Sequence, residues 1–296
     1  MIAPSTKPPA PFKPLRGVRV LSLALNLPGP AALMRLRALG ASCTKVEPPN
    51  GDPLRLYQRS AYDTLHQGIT VFGADLRLDA GQKAVHKQLA RADVLLTSFR
   101  PSALRKLGMD RAVLRKAYPR LSQIDIVGSG GDRAEEPGHD LTYMAEHGLV
   151  TGLDLPPSLF ADMGGSLMAV EAVMGALLRQ RVTGKGSHIE VALGDAAAYL
   201  GLPHSWSMTT PGGPVGGAHA GYRVYACKDG RVAVAALEPH FALALCHAAG
   251  IANGGPNTMM AKETHDAIAA FLAGQTRRKL DLLAVKRDIP LLTLRD

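Results

Sequence analysis

Short apolar runs and helical apolar patterns follow one another along the first two hundred positions of the chain. Residues 18–23 form an apolar run typical of a buried strand, and a helical pattern begins at Pro28 and ends at Gly40. Residues 44–47 form a second strand-like run, which Pro48 stops. A strand, a helix and a strand within about thirty residues form a βαβ unit, so we predict a parallel sheet with right-handed crossovers.

The alternation continues beyond this unit. Strands are predicted at residues 69–76, 93–99, 121–127 and 187–192, and helices at residues 80–92, 103–107, 111–117, 163–182 and 195–200. This order predicts an α/β fold whose large domain, residues 15–200, is a doubly wound, Rossmann-like parallel sheet. Gly128-Ser129-Gly130-Gly131 matches the dinucleotide-binding fingerprint only in part, which disfavours nicotinamide and flavin cofactors.

The strongest helical pattern lies over residues 163–182. The apolar stripe expected to face the core comprises Leu167, Val170, Met174, Leu177 and Leu178. Asp162 comes immediately before the predicted helix, where aspartate is a favoured N-cap. The same position offers backbone N–H groups, and Gly164 and Gly165 would let an anion approach them. Capping and anion stabilisation both stay open for this end of the helix.

The last third of the chain predicts a second, smaller domain. Prolines and glycines cluster in residues 201–219, which we interpret as an interdomain linker. A β-hairpin is predicted at residues 222–227 and 231–235, and helices at residues 239–249 and 262–273. Residues 220–296 therefore predict an α+β domain. Residues 1–14 are rich in proline and lack the apolar core of a signal peptide, so we predict a disordered leader.

Composition narrows the classes of partner. The length of 296 residues favours two domains. Lysine and arginine outnumber aspartate and glutamate by 34 to 25, and the net charge of +9 suits a phosphate-bearing partner. The basic residues are dispersed and aromatic residues make up 5%, so we expect no nucleic-acid partner. No run approaches the ~18 uninterrupted apolar residues of a membrane span, so we expect no membrane association.

The cysteines and the polar residues leave few candidates for chemistry. Cys43, Cys227 and Cys246 have neither disulfide-framework nor zinc-site spacing, so we predict a cytoplasmic protein without a metal site. The sequence Gly138-His139-Asp140 forms a turn, and Glu238 precedes a helix that Pro239 opens. Each acid or histidine has an ordinary explanation when considered alone, because acids favour helix starts and most histidines are surface residues.

An ordered set of short motifs adds to these candidates. The motifs lie at residues 17–21, 28–30, 39–48, 51–52, 75–77, 92–95, 99–101, 107–108, 138–140, 181–186 and 229–231. Each is weak alone, but together, in this order, they resemble the family III CoA-transferases of the CaiB/BaiF type. That family includes the α-methylacyl-CoA racemases and the carnitine CoA-transferases. The resemblance covers roughly residues 15–296.

The resemblance implies roles for three residues. An aspartate that matches Asp162 is the nucleophile of the family's transferases. The racemases pair that aspartate with a Gly-His-Asp histidine, here His139, across the α-carbon of the substrate. A Glu-Pro glutamate, here Glu238, lies beside the histidine. Transferases commonly lack the histidine and the Glu-Pro pair, so the three together favour a racemase that epimerises 2-methylacyl-CoA thioesters by 1,1-proton transfer.

Chemical reasoning agrees with these roles. The α-proton of a thioester is weakly acidic, so its removal needs a positioned base and a stabilised enolate oxygen. Inversion needs a second group that returns a proton to the opposite face. We expect neutral His139 and protonated Asp162 to serve in one direction and to exchange roles in the other. Glu238 would orient the imidazole, and helix-start N–H groups near Asp162 would receive the enolate oxygen.

The resemblance also implies how coenzyme A is held and how the chain assembles. Coenzyme A enters as part of the acyl-CoA substrate, with no permanently bound cofactor. The implied CoA-site residues are Ala74, Asp75, Leu76, Arg77, Arg100, Lys106, Pro137, Gly138 and Asp140. A homodimer is expected, interlocked as in the family. Family members continue past the end of this sequence and return to the large domain, so the segment that closes the interlocked dimer is not expected here.

Two other functions stay open. A CoA-transferase would move CoA between carboxylic acids, with Asp162 as the nucleophile. A catalytically silent CoA-binding or scaffold protein would bind CoA without turning it over. A nucleic-acid role that rests on charge alone ranks below both.

Overall fold

Six parallel strands form the sheet of the first part of the chain. They are β1 (Arg19–Ser22), β2 (Ser42–Glu47), β3 (Thr70–Gly73), β4 (Val94–Thr97), β5 (Ser122–Val127) and β6 (His188–Ala192). The computed structural model describes residues 12–295, so most of the predicted leader lies outside the described residues. The strand order is β3-β2-β1-β4-β5-β6, and every neighbouring pair is parallel. This is the doubly wound order that the sequence predicts.

Helices cover both faces of this sheet. They are α1 (Pro28–Ala38), α2 (Pro53–Tyr57), α3 (Arg59–Leu65), α4 (Asp79–Leu89), α5 (Pro101–Lys106), α6 (Arg111–Ala117), α7 (Asp140–Glu146), α8 (Phe160–Thr183) and α9 (Leu193–Leu200). Helices α1 and α8 pack Leu33 and Val173 into the same buried cluster as Val20 of β1. On the other face α4 packs Val85 into a cluster with Leu21. Burial on both faces explains the continuous apolar run of the central strand β4.

Helix α8 begins three residues earlier than the sequence predicts. Asp162 therefore lies inside the first helical turn, and the N-cap is Leu159, which makes no side-chain capping bond. The predicted N-cap role of Asp162 is wrong. The predicted apolar stripe is also partly wrong, because Leu167 and Leu178 are 51% and 62% exposed. Small residues such as Ala169 and Ala176 fill the buried face instead, which lets α8 lie close to its neighbours.

The apolar character of α8 also bears on membrane association. By length and composition alone, α8 passes the test for a helix that spans a membrane, with a mean hydropathy of 1.3. A core helix of a globular unit passes the same test. Buried residues of α8 belong to the main cluster of the first unit, Val173 among them. Core packing thus accounts for the buried part of α8, whereas large apolar residues such as Leu167 and Leu178 are exposed.

The chain divides into two units, one that ends at Gly201 and one that begins at Leu202. The second unit contains an antiparallel sheet of β7 (Tyr222–Cys227), β8 (Gly230–Ala235) and β9 (Leu291–Leu294), in that order. Its helices are α10 (Leu202–Ser205), α11 (Pro239–Ala248), α12 (Pro256–Met260), α13 (Lys262–Ala273) and α14 (Arg277–Arg287). The predicted hairpin forms, and Val232 of β8 is buried with Leu245 and Leu272 of the helices.

Candidate active site

A cavity of about 240 Å³ lies at the carboxyl ends of β1, β4 and β5. The strand order reverses between β1 and β4, and in doubly wound sheets ligands bind at such a switch point. His139, Asp140 and Asp162 line this cavity together. The starts of α7 and α8, which are far apart in the sequence, bring these three residues to one place. We call this cavity the switch-point cavity.

His139 is the residue before α7, and its backbone is held on both sides. Its N–H donates to Oγ1 of Thr142 at 3.0 Å, and the Thr142 hydroxyl donates to the carbonyl oxygen of His139 at 2.8 Å. The side chain is exposed. Thr142 thus fixes the backbone that carries the imidazole without using the ring nitrogens. The ring remains available for proton transfer at the cavity.

Asp162 is held by its neighbour across the cavity. Its backbone N–H donates to Oδ1 of Asp140 at 2.9 Å, and Asp140 is itself buried. Burial raises the pKa of Asp162 from 3.8 to about 6, the Asp140 carboxylate adds to the rise, and His139 opposes it. A carboxyl group with a pKa near neutrality can both take and give a proton under ordinary conditions.

Gly164 and Gly165 do not serve the purpose that the sequence suggests. A Cβ at Gly165 would lie 2.3 Å from Cδ2 of Leu193, and one at Gly164 would lie 3.1 Å from Cδ1 of Leu200. Both glycines therefore face α9 and permit close helix packing. The prediction that they open the helix start to an oxyanion is wrong.

Tyr143 is a cavity residue that the sequence did not single out. It is buried, and burial together with the charge of Asp162 raises its pKa. A Cβ at Gly128 would lie 2.1 Å from the Tyr143 hydroxyl oxygen, and one at Gly138 would lie 2.5 Å from its ring. The two glycines thus make room for the phenol. The sequence signal that could have identified Tyr143 is its spacing of four residues from His139, since residues four apart are neighbours on a helix.

Asn26 is a second cavity residue that the sequence did not single out. It follows β1 in a left-handed backbone conformation, with φ of 63°. The N–H of Asn26 donates to Oδ1 of Asp52 at 3.1 Å, and that oxygen also accepts from the N–H of Leu54 at 2.9 Å. Asp52 therefore fixes the loop that brings Asn26 to the switch-point cavity.

A buried ionic cluster holds Asp52 in turn. The ammonium group of Lys45 contacts Oδ2 of Asp52, lies 3.2 Å from Oε1 of Glu47 and lies 2.8 Å from Nε2 of His66. Nδ1 of His66 lies 2.7 Å from the carbonyl oxygen of Tyr62, so Nδ1 is the donor and Nε2 accepts from Lys45. Lys45 and Asp52 are fully buried. The cluster satisfies each of its charges internally.

The same cluster has the composition of a metal site. Glu47, Asp52 and His66 place potential ligand atoms within 4.8 Å of one another. All three contact the ammonium group of Lys45, so a cation supplied by the chain already occupies the position between them. These residues therefore do not fit a metal ion while Lys45 is present.

The Tyr62 hydroxyl, which donates to Oε1 of Glu47 at 2.8 Å, offers a test of this cluster. We expect Tyr62→Phe to lower the free energy of unfolding by about 1.5–3 kcal/mol, because a buried carboxylate loses a donor. Denaturant unfolding measures the change. Tyr199→Phe is the matched control, since Tyr199 is 70% exposed, and it should change the stability by less than about 0.5 kcal/mol. A loss no larger than that of the control would show that the cluster adds little stability.

A second cavity, of about 480 Å³, adjoins the first. Five predicted CoA-site residues line it, namely Ala74, Asp75, Leu76, Arg77 and Lys106. Phe99 lines both cavities. The Arg77 guanidinium donates to both carboxylate oxygens of Asp75, at 2.9 and 2.7 Å, and this pairing lowers the pKa of Asp75 to about 2. We call this second cavity the rim cavity.

The remaining predicted residues fall in different places. Arg100, Gly138 and Asp140 line the switch-point cavity. Pro137 is exposed and lines neither cavity. Glu238 belongs to the second unit, where it precedes α11 as its N-cap without a side-chain capping bond. The role of Glu238 beside His139 stays a prediction.

Residues 15–296 match the family model described as CoA-transferase family III. The chain belongs to this family. The predicted family is confirmed, and so is the mixed α/β fold with its six-stranded parallel sheet.

The family III chain is similar to enzymes of two activities. Over 208 residues it is 32% identical to the cinnamoyl-CoA:phenyllactate CoA-transferase of Clostridium sporogenes, covering 63% of this chain and 50% of that protein. Over 253 residues it is 29% identical to the alpha-methylacyl-CoA racemase of Homo sapiens, covering 77% of this chain and 62% of that protein. The crystal structure of a hypothetical protein from Mycobacterium tuberculosis has a TM-score of 0.84 at 25% identity, covering 97% of this chain and 86% of that one.

Family membership does not distinguish between the activities of these relatives. Both the CoA-transferases and the racemases are about 30% identical to this chain. The chain spans about half the length of the first curated relative. The residues of the site therefore have to decide between the activities.

Proposed function

We propose that this family III chain racemises 2-methylacyl-CoA thioesters by 1,1-proton transfer. The observation that carries the proposal is that His139 and Asp162 line the same switch-point cavity. Racemisation needs two proton-transferring groups that approach one carbon from opposite sides, whereas acyl transfer to an aspartate needs only one of these side chains.

The ionisation of Asp162 supports the same assignment. With a pKa of about 6, roughly a tenth of Asp162 is protonated at pH 7. A base must be ionised and an acid must be protonated, so a group that serves as both works best when its pKa lies near the working pH. A nucleophilic carboxylate has no use for the protonated form, which does not attack.

The proton transfers balance in both directions. In one direction neutral His139 takes the α-proton, an enolate forms, and the protonated carboxyl of Asp162 gives its proton to the opposite face of the carbon. In the other direction the Asp162 carboxylate takes the proton and the imidazolium of His139 returns one. Each complete turnover inverts the α-carbon and exchanges its hydrogen with the medium.

Two side chains of the switch-point cavity can stabilise the enolate oxygen, which is the role that the sequence assigned to the N–H groups at the start of α8. Arg100 supplies a positive charge, and the carboxamide of Asn26 supplies N–H donors. Oδ1 of Asn26 faces the Tyr57 hydroxyl at 3.5 Å, which leaves its amino group as the donor toward the substrate. We assign the orientation of the His139 imidazole to Glu238 on the family resemblance alone.

The rim cavity suits the coenzyme A part of the substrate. Lys106 is exposed there and has no carboxylate within ion-pair distance among residues 12–295, so its charge is available to a phosphate. Lys106→Gln is expected to raise KM for the acyl-CoA about tenfold with kcat unchanged, because a charge-assisted contact is lost equally in the bound and transition states. Steady-state kinetics measure this.

Lys116→Gln is the matched control for Lys106→Gln, since it removes an exposed lysine of α6 that lines neither cavity. Its KM should equal that of the wild type. An unchanged KM in the Lys106 variant would place the CoA phosphates elsewhere.

The second candidate is a CoA-transferase, which the transferase relatives favour. There the Asp162 carboxylate would attack the thioester carbonyl and expel CoA as its thiolate. Incubation of a single 2-methylacyl-CoA epimer in D2O without any carboxylic acid separates the two activities. We expect deuterium at the α-carbon together with the opposite epimer. CoA transfer only after an acid is added, with an Asp162 adduct trapped by hydroxylamine, would establish the transferase instead.

The same incubation tests the third function, a CoA-binding protein without activity. A CoA titration that gives saturable binding, together with neither deuterium uptake nor CoA transfer, would support it. The homodimer is part of the proposal as well, and sedimentation of the full chain measures it.

A further inference from the structure

A further cavity that borders the parallel sheet lies away from both cavities of the proposed function. It has a volume of about 550 Å³ and is lined by residues at the amino ends of β5 and β6, by α6 and by the end of α8. The switch-point cavity lies at the carboxyl ends of the strands, so the two cavities are at opposite edges of the sheet. Its volume falls in the range of sites for small molecules. We call it the basic cavity.

Four cationic side chains line the basic cavity, namely Arg111, Arg115, Arg179 and Lys185. No aspartate or glutamate is among its lining residues. Within residues 12–295 none of the four lies within 4.0 Å of a carboxylate oxygen. In the described part of the chain, the one hydrogen bond of these side chains is from Nη1 of Arg179 to Oγ of Ser187, at 3.0 Å. The charge that these groups carry into the cavity is therefore not neutralised by the chain.

Acidic residues do occur nearby, but they are engaged or face another way. Asp125 accepts from Nε2 of His188 at 2.7 Å, and His188 also lines the basic cavity. Asp110, Asp125 and Glu190 line a neighbouring cavity that Arg111 and Arg115 also border. Asp110 caps α6 through its bonds to Ala112 and Val113. These acids leave the basic cavity with a net positive lining.

We propose that the basic cavity binds an organic phosphate of nucleotide size. Guanidinium groups recognise phosphate oxygens with paired, charge-assisted hydrogen bonds, and three arginines and a lysine surround this space. A cavity of about 550 Å³ holds a ligand larger than a bare inorganic anion, and a nucleotide has both the phosphates and the size. The site is independent of the proposed racemase reaction and of the rim cavity.

Equilibrium dialysis of the full chain with labelled ADP tests this site. The variant Arg115→Gln/Arg179→Gln removes two of its cations, both of which are exposed, so the fold is expected to be retained. We expect the double variant to bind one ADP fewer per chain than the wild type at saturation. Pyrophosphate should bind to the wild type at least tenfold more weakly than ADP, because it lacks the nucleoside that would fill the rest of the cavity.

The matched control is Arg181→Gln, since Arg181 is exposed on α8 and does not line the basic cavity. It should bind ADP as the wild type does. Lys106→Gln distinguishes this proposal from the proposed function, because it should weaken the binding of ADP at the rim cavity and leave binding at the basic cavity unchanged. Equal stoichiometry in the wild type and in Arg115→Gln/Arg179→Gln would overturn the nucleotide site whatever Lys106→Gln does.

Discussion

Asp162→Asn is expected to abolish racemisation and to stabilise the protein above about pH 6. The amide neither accepts the α-proton nor donates one of comparable acidity, so inversion fails in both directions. A positioned acid or base contributes about 10²–10⁴ in rate, and here one residue serves both steps. We expect kcat for inversion to fall at least a thousandfold, with KM little changed.

The gain in stability follows from the raised pKa of Asp162. The folded pKa of about 6 exceeds the ordinary value of 3.8, so the folded state disfavours the ionised form. The protonated form stabilises the folded state fully below about pH 4, and this contribution is lost as the pH rises through about 6. Above that pH the ionised carboxylate lowers the free energy of unfolding by about 1–3 kcal/mol, and asparagine does not.

Denaturant unfolding of the two proteins between pH 4 and pH 8 measures this difference. Asp162→Asn should match the wild type at pH 4 and exceed it at pH 8. Asp154→Asn, at an exposed residue that precedes α8, should match the wild type throughout, within about 0.5 kcal/mol. A variant that is less stable than the wild type at pH 8 would mean that the Asp162 carboxylate is stabilised in the fold, contrary to the account given above.

His139→Ala is expected to stop inversion from either epimer, with a fall in kcat of about 10²–10⁴. The second expected result is an asymmetry. Asp162 remains able to take the proton that faces it and to return one to the same face, so one epimer exchanges its α-hydrogen without inverting. The other epimer presents its proton to the missing imidazole and does not exchange.

Mass spectrometry of each epimer recovered from D2O measures this asymmetry. His147→Ala is the control, since His147 lies at the other end of α7, outside the switch-point cavity, and should leave both exchange and inversion intact. Inversion by His139→Ala at the wild-type rate would mean that some other group returns the proton. Exchange of both epimers at equal rates in that variant would contradict opposed bases.

The strand and helix order could be predicted because local apolar periodicity decides it. The six-stranded sheet and the hairpin at Gly230 follow the apolar patterns closely. The elements that were missed have weak local signals. Helix α3 contributes Tyr62 and Leu65 to a small buried cluster, and β9 is defined by its pairing with β8. Such elements depend on partners that are distant in the sequence.

The buried face of α8 could not be predicted from residue hydrophobicity. Large residues such as Leu178 are exposed, whereas Ala169 and Ala176 are buried. Close packing against α1 and α9 requires small side chains at the buried positions. A pattern of hydrophobic residues does not distinguish such buried positions from positions that face solvent. The same contact with α9 explains Gly165, for which the sequence suggested a chemical purpose.

The site residues that belong to a sequence motif could be predicted, whereas those placed in the cavity by tertiary contacts could not. The sequence singled out His139 and Asp162, and both line the switch-point cavity. Tyr143 also lines this cavity, because two glycines leave room for its ring. Asn26 lines it because Asp52 holds the backbone of its loop. The ammonium group of Lys45 joins Glu47, Asp52 and His66, and no short window of sequence reveals such a cluster.

The partition of deuterium during early turnover tests the central claim most directly. A single 2-methylacyl-CoA epimer is incubated in D2O with the wild-type protein and no carboxylic acid, and both epimers are recovered before a tenth of the substrate has reacted. Opposed His139 and Asp162 predict one α-deuterium in nearly every product molecule and almost none in the remaining substrate. Deuterium at equal levels in product and remaining substrate, or inversion without deuterium, would contradict proton transfer between two groups on opposite faces of one carbon.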